Sequence, residues 1–415
     1  MKRSALVLLL VVLAAPLYAT NGYFLHGQGP ANKAMGGAGS ALPPEPLAAA
    51  SNPAAIAFVD PGMIFELALF NPNRSYTITG MPSGMQGTFG LAPGTVESDS
   101  ELFLMPSLAA SWKPSDRFSF GLSMISHGGM NTDYRTSTFW GGDRTGVDLM
   151  QAFVDATGAW RFTENQSLGL TLRFVYQMFE AQGLQAFGMF SSNPAALTNN
   201  EHDSSSGVGA EIGYYARVTP AVSIAASYAP QISMSEFDDY AGLFAEQGGF
   251  DIPATLTVGL AWNVTDHLTW VADYQAIEYG GVDSIANPML PNIMTAPLGS
   301  DAGAGFGWED ISVIKTGFQY QASPDWTFRA GFSMTDQPIP ESEVLFNILA
   351  PGVIDNHVTA GFTRALGSDS AFHVAIMHAL ENSVSGPNPL EVPGQQTIEL
   401  TMDEWEVEFG WSKKF

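Results

Sequence analysis

The sequence predicts an all-β protein: a transmembrane barrel of about 14 antiparallel strands with an N-terminal hatch, or plug, inside its lumen. Three observations carry that expectation. An export signal opens the chain, apolar residues alternate with polar ones in segment after segment, and short polar turns alternate with long irregular connections.

Met1-Lys2-Arg3 leads into an apolar run from Ala5 to Leu17, and Leu17-Tyr18-Ala19 is a small-residue cleavage pattern. The run is too short for a spanning helix, so residues 1–19 read as a secretory signal peptide cleaved after Ala19. The mature chain is then expected to start near Thr20. It contains no run of eighteen or more apolar residues, although 46% of the chain is hydrophobic and 12% aromatic. Apolar residues spread this thinly suit a barrel wall, where lipid-facing and lumen-facing positions alternate. The absence of cysteine excludes a disulfide framework and thiolate metal sites. Net charge is −25, and removing Lys2 and Arg3 leaves 14 basic against 41 acidic residues, or −27. Nucleic acid is excluded as a partner by that sign. Many of the acids fall in segments read as loops, where they supply solubility and mutual repulsion.

Strand periodicity is plain in Leu168, Leu170, Leu172, Phe174, Tyr176 and Met178, with Gly169, Thr171, Arg173 and Gln177 between them. The same alternation runs through Leu268, Trp270, Ala272 and Tyr274 and through Trp326, Phe328, Ala330 and Phe332. It places strands near 62–71, 102–112, 117–127, 149–162, 167–179, 207–218, 222–230, 252–263, 268–278, 310–321, 326–335, 354–365, 371–380 and 402–413. Six short turns lie between them, around 113–116, 163–166, 219–221, 265–267, 323–325 and 367–369, and seven connections are longer. Short turns on the periplasmic side and long loops outside are the outer-membrane pattern, with both termini inside. Trp405, Val407, Phe409 and Trp411 form one face of the last strand, and the chain ends on Phe415. A terminal aromatic resembles the signal read by barrel-assembly machinery, an expected partner during biogenesis along with outer-membrane lipid.

Residues 20–60 show no strand pattern and are rich in Gly, Ala and Pro, including Gly36-Gly37-Ala38-Gly39 and Pro43-Pro44. A barrel of this strand number has a lumen wider than its own side chains fill, so this segment is expected to pack inside it. Tyr23, Phe24, Leu25, Ile56 and Phe58 would anchor it there; the alternative is a disordered periplasmic tail. Residues 61–415 form the barrel.

Asn52-Pro53-Ala54-Ala55, preceded by Gly36-Gly37-Ala38-Gly39-Ser40-Ala41, resembles the hatch of the FadL/TodX family of outer-membrane hydrophobic-compound transporters. Phe237 to Ala245 is similar to that family's fourth outer loop, Ile252 to Ala261 to the strand after it, and Asp325 to Gly331 to a later strand. The order and spacing of these matches extend the resemblance over the whole mature chain. It implies that the hatch closes the lumen and that an apolar outer groove collects the ligand, a long-chain fatty acid or a neutral or aromatic hydrocarbon. A deeper pocket holding Thr20 to Phe24 and a wall defect for sideways release complete the implied path, which consumes no ATP.

For the groove, the long connections 180–206 and 231–251 are candidates. Residues 235–247 read as a short helix with Ser235 as N-cap, Phe237, Tyr240, Leu243 and Phe244 on one face, Asp238, Asp239 and Glu246 on the other, and Gly248-Gly249 as its stop. Leu184, Phe187, Met189 and Phe190 add aromatic and methionine surface, which otherwise serves only to pack the loops together. His127-Gly128-Gly129 could mark the wall defect, or an ordinary strand end. Arg161, Arg173, Arg217, Lys315 and Arg329 point into the lumen by alternation. Internal pairing with acids such as Asp155, Glu211, Asp273, Glu404, Glu406 and Glu408 is their default role. Arg173 and Lys315 are the best candidates for a ligand carboxylate. Fatty-acid members of the family would carry a basic residue at the outer end of the fifth strand; here Val175-Tyr176 is followed by Gln177-Met178, which tilts the reading toward neutral cargo.

No enzymatic activity and no cofactor are expected. The seven histidines are scattered without a serine motif or metal-ligand spacing. A general porin for small polar solutes, or a surface adhesin, is the competing reading, and a monomer is the expected state.

Overall fold

In the computed structural model, which describes residues 21–415, fourteen antiparallel strands close into a barrel. The signal-peptide assignment and Thr20 lie outside the described residues. The wall strands are β1 (Gly62–Thr79), β3 (Phe103–Ser115), β4 (Phe118–Tyr134), β5 (Thr145–Thr163), β6 (Gln166–Gln182), β7 (Asp203–Arg217), β8 (Val222–Ala229), β9 (Ala254–Asn263), β10 (Leu268–Glu278), β11 (Ile311–Gln321), β12 (Trp326–Thr335), β13 (Asn356–Ala365), β14 (Ser370–Pro387) and β15 (Thr397–Lys414). Each pairs with its sequence neighbour, and β1 closes on β15 from Gly62↔Lys414 to Thr79↔Thr397. A fifteenth strand, β2 (Gly94–Glu97), lies only against the far end of β1. The six expected tight turns are present, at the end of the barrel that carries the start of β1 and the C-terminus.

The outward face is the oily one. Phe65 and Leu69 are exposed while Glu66, Ala68 and Phe70 on the alternate positions are buried, and Leu168, Leu170, Leu172, Phe174 and Tyr176 are exposed around inward Thr171, Arg173 and Val175. Trp112, Phe118, Trp160, Trp262, Tyr320 and Phe415 stand exposed near the tight turns, as the aromatic belt of a bilayer interface. Strands β1, β4, β5, β6, β14 and β15 run beyond the spans expected from sequence. Their extra residues, such as Asn71-Pro72-Asn73-Arg74-Ser75, lie past the apolar band, so the alternation that signals a strand ends before the ladder does.

Residues 21–60 pack against the inner face of the wall and are almost all buried, in a short helix (Pro30–Lys33) and two 3-10 turns, Pro46–Ala50 and Pro53–Phe58. Their seat is a row of inward glycines, each within a few residues of the tight-turn end of its strand. A Cβ on Gly169 would lie 2.3 Å from the Ala54 nitrogen, on Gly213 2.1 Å from Asn52 Oδ1, on Gly259 1.9 Å from Ser40 Oγ, on Gly317 2.6 Å from Met35 Cβ and on Gly331 2.1 Å from the Gly36 nitrogen. Only glycine admits a backbone this close to a strand. Polar ties complete the seat. Asp273 Oδ2 accepts from the backbone N–H groups of Gly39 and Ser40, both at 2.9 Å, and Lys33 bridges to Glu406 and, at 3.4 Å, to Glu408.

Candidate ligand-binding site

Four long connections meet at the open end of the barrel around a small apolar cavity. Its lining comes from the ends of β5 and β6 (Val147, Phe179), from 183–202 (Leu184, Phe187, Leu197), from 230–253 (Leu243, Phe244), from 279–310 (Ser284, Leu298, Phe306) and from 336–355 (Phe346, Leu349). Ser284 is its one side chain with a polar group, and its hydroxyl already donates to the Gly249 carbonyl at 2.6 Å. Of the residues singled out from sequence, Phe187, Leu243 and Phe244 line the cavity. Phe237 and Tyr240 are fully buried beside it, their rings 5.8 and 4.8 Å from that of Phe179. Phe190 is half-buried at its margin, its carbonyl accepting from the Leu298 N–H at 2.7 Å, and Met189 is 83% exposed to one side. Phe179, Leu298, Phe306, Phe346 and Leu349 went unrecognised in the sequence. Phe179 lies at the end of a strand; the signal of the other four, large apolar side chains inside acidic loops, was present but carried no period.

The segment 235–247 is not one helix. A 3-10 turn at Asp238–Tyr240 is followed by a second short turn at Ala245–Gly248, which Glu246 and Gln247 break with φ of 54° and 58°. Tertiary contacts override local preference here. The Phe237 N–H donates to the Gly248 carbonyl at 2.9 Å, tying the segment into a closed loop, and a Cβ on Gly242 would sit 2.0 Å from the Asn193 carbonyl oxygen. Ser235 caps no helix; its hydroxyl accepts from the Ser206 N–H at 3.0 Å. Asp238, Asp239 and Glu246 do face outward.

Deeper in the barrel, Tyr23 and Phe24 sit in an aromatic chamber. The Tyr23 ring lies 5.0 Å from Phe24, 5.4 Å from Tyr279, 6.0 Å from Phe250 and 6.2 Å from Trp308. Phe24 meets His127 edge-on at 4.5 Å, and His127 stacks on Phe153 at 3.9 Å. Tyr279 fixes the chain by accepting from the Tyr23 N–H at 3.2 Å and donating to the Asn21 carbonyl at 2.5 Å. Gly22 takes φ +68°, and a Cβ there would strike the Tyr279 hydroxyl at 2.6 Å.

Beside this chamber the wall is incomplete. The β3–β4 ladder runs from the tight turn only to Leu108↔Met124, and the β4–β5 register shifts between Ser126 and Gly128. Residues 21–28, here called the arm, lie along the β4 edge that β3 leaves: the Leu25 N–H donates to the His127 carbonyl at 3.1 Å and the Gly129 N–H to the Tyr23 carbonyl at 3.0 Å. The gap opens past Met124, and the arm meets β4 at His127 to Gly129. Further out, Arg74 of β1 reaches across to the Asn131 carbonyl of β4 at 2.8 Å. A second, small cavity, lined by Gly22, Arg74, Met130, Trp308 and Gly352 among others, adjoins the break.

The inward cations are engaged. Arg173 grips Asp155 through two bonds at 2.9 and 2.8 Å, reaches Glu211 at 3.1 Å and lies over the Phe153 ring at 4.7 Å. Lys315 donates to the His26 carbonyl at 3.0 Å and to Gln275 Oε1 at 2.9 Å, a tie to the arm. Arg329 donates to Gln319 and Thr363, while Arg161 and Arg217 lie over Phe58 at 5.3 and 4.5 Å. Gln177, where a cation would be expected in a fatty-acid carrier, is fully buried, accepting from Gln151 and donating to Ser205 Oγ and to the Phe250 carbonyl at 2.8 Å. Asn52 caps the Pro53–Phe58 turn: its Oδ1 accepts from the Ala54 N–H at 3.0 Å and its Nδ2 donates to the Tyr214 carbonyl at 3.0 Å.

Comparison with known proteins agrees with this architecture. Two curated relatives are long-chain fatty acid transport proteins. That of Salmonella typhi is 25% identical over 322 residues, covering 68% of this chain and 71% of its own. That of Escherichia coli K12 is 24% identical over 329 residues, covering 68% and 72%. Among solved structures, a Pseudomonas aeruginosa FadL homologue superposes with a TM-score of 0.69 at 17% identity, covering 95% of this chain and all of its own. The P. putida toluene transporter TodX gives 0.67 at 18% identity, with 94% and 99% covered. The model of the family described as outer membrane protein transport protein (OMPP1/FadL/TodX) matches residues 11–392, and the chain belongs to that family.

Proposed function

We propose that the protein carries hydrophobic molecules across the outer membrane, neutral hydrocarbons and aromatic compounds in preference to fatty acids. The outer cavity collects them, residues 21–60 act as the hatch, and the cargo leaves sideways at the break between β3 and β4. The observation that carries the reading is a cavity with no charged side chain in its lining, assembled from four loops that an aqueous pore would have no reason to make apolar. Neutral cargo is favoured because Arg173 and Lys315 already have protein partners and Gln177 replaces the expected cation. The toluene transporters TodX and TbuX share this fold, and curated relatives are long-chain fatty acid transport proteins, so kinship alone does not choose between the cargoes.

Equilibrium binding of toluene and of oleate to the purified protein tests the choice. Toluene should bind, and Phe187→Ala with Phe244→Ala should weaken it by about tenfold or more, each truncation removing an aromatic worth ~1–3 kcal/mol of contact. Tight oleate binding that Arg173→Met or Lys315→Met abolishes would reverse the preference. Swelling of protein-loaded liposomes in sugars would support the porin reading instead.

A further inference from the structure

The gap in the wall is written into one residue of β3. We propose that Pro106 keeps the β3–β4 ladder open and thereby assigns the β4 edge to the N-terminal arm, with Gln28 supplying the donor that a strand residue at 106 would have given. Antiparallel partners exchange N–H and C=O groups across the ladder. Leu108↔Met124 is the last pair of β3 and β4 away from the turn, and two residues further along each strand bring Pro106 opposite Ser126. The backbone at 106 is already turned toward β4, since its carbonyl accepts from Ser126 Oγ at 3.2 Å. What is missing is the reciprocal donation, which proline cannot make. On its other side Pro106 stays in register with Leu67 of β1, so the β1–β3 ladder runs past it unbroken.

The Ser126 carbonyl does not go unserved. Gln28 Nε2 donates to it at 3.2 Å. The next acceptor, the His127 carbonyl, takes the Leu25 N–H, and the Gly129 N–H goes to the Tyr23 carbonyl. Three consecutive bonds therefore pair the arm with β4 where β3 stops. The β3 strand and the arm are alternative partners for one edge, and the residue at 106 decides between them. This holds whatever the cargo; its consequence for transport rests on the sideways exit proposed above, because a zipped β3–β4 ladder would shut that exit.

The test is Pro106→Ala in the full chain, reconstituted in phospholipid vesicles, with amide exchange read at 105–108, 124–129 and 23–28. The new amide at 106 should exchange about 5- to 10-fold more slowly than an open one, the worth of one net backbone hydrogen bond. The Leu25 amide should lose protection, and transfer of toluene into the vesicle bilayer should fall. Free exchange at 106 with an unchanged arm would overturn the proposal. Protection gained at 106 with undiminished transfer would uphold the role of Pro106 and sink the sideways exit. Gln28→Leu is the independent variant. It should loosen the arm while β3 stays open, because Pro106 still bars the ladder; a β3 strand that then zips onto β4 would show that proline is not the bar.

Discussion

At the scale of single residues, the lumen uses its charges to hold structure. Arg173 is buried between Asp155 and Glu211, and deleting it would strand two carboxylates without their counter-charge. Arg173→Met is expected to destabilise the protein by ~3–5 kcal/mol, as removal of one partner of a buried ion pair does, while leaving toluene affinity unchanged. Denaturant unfolding in detergent alongside toluene titration checks both halves; lost affinity with unaltered stability would make Arg173 a ligand residue. The inward direction of Arg173 and its acidic neighbours was legible, because alternation fixes which side chains share a face. Lys33 was not. It lies in a segment without period, and only the folded chain brings it to Glu406 and Glu408.

At the scale of elements, the sequence revealed strands where one face meets lipid and lost them where both faces are polar or packed. The 235–247 segment failed for the same reason: its buried aromatics mimic a helical stripe, but loop closure at Phe237 and Gly248 sets its path. The Asn52-Pro53-Ala54 motif was legible as a marker, whereas its mechanics needed the glycines facing it. Gly169→Val should unseat the Pro53–Phe58 turn, at an overpacking penalty of ~1–3 kcal/mol or more, and expose residues 45–58 to protease in an intact barrel. Equal protease resistance in variant and parent would mean that the seat yields. The connection 183–202 carries a pH-sensitive fastening. His202 touches Asp148 at 2.9 Å and Glu180 at 3.2 Å, and the hydrogen bond to Asp148 raises its pKa above the ordinary histidine value. A raised pKa means that this contribution is fully present below the unfolded value, about 6.5, and is lost as pH rises through the folded value. Amide exchange across 196–202, corrected for intrinsic rates, should therefore quicken from pH 6 to pH 9 in the parent and stay flat in His202→Gln.

At the scale of the molecule, wall and filling are separable. The strand order closes without residues 21–60, since β1 pairs with β15 along its whole length and every other neighbouring pair is bonded, β3 with β4 only as far as Leu108↔Met124, where the arm takes over. The filling supplies Lys33, and the inner wall without it is acidic: Glu66, Asp155, Glu211, Asp273, Glu404, Glu406 and Glu408 against Arg74, Arg173, Lys315 and Arg329, seven against four, or −3. A barrel lacking residues 21–60 is thus expected to insert, to swell liposomes in sugars that the full chain excludes, and to pass cations in preference to anions, since a lumen lined by one sign of charge concentrates its counter-ions. Reversal potentials under a potassium chloride gradient read the selectivity. A deleted barrel as tight as the parent would show that the long loops, not the N-terminal segment, close the path. An open but unselective one would show that the inward carboxylates are neutralised by protons rather than by Lys33.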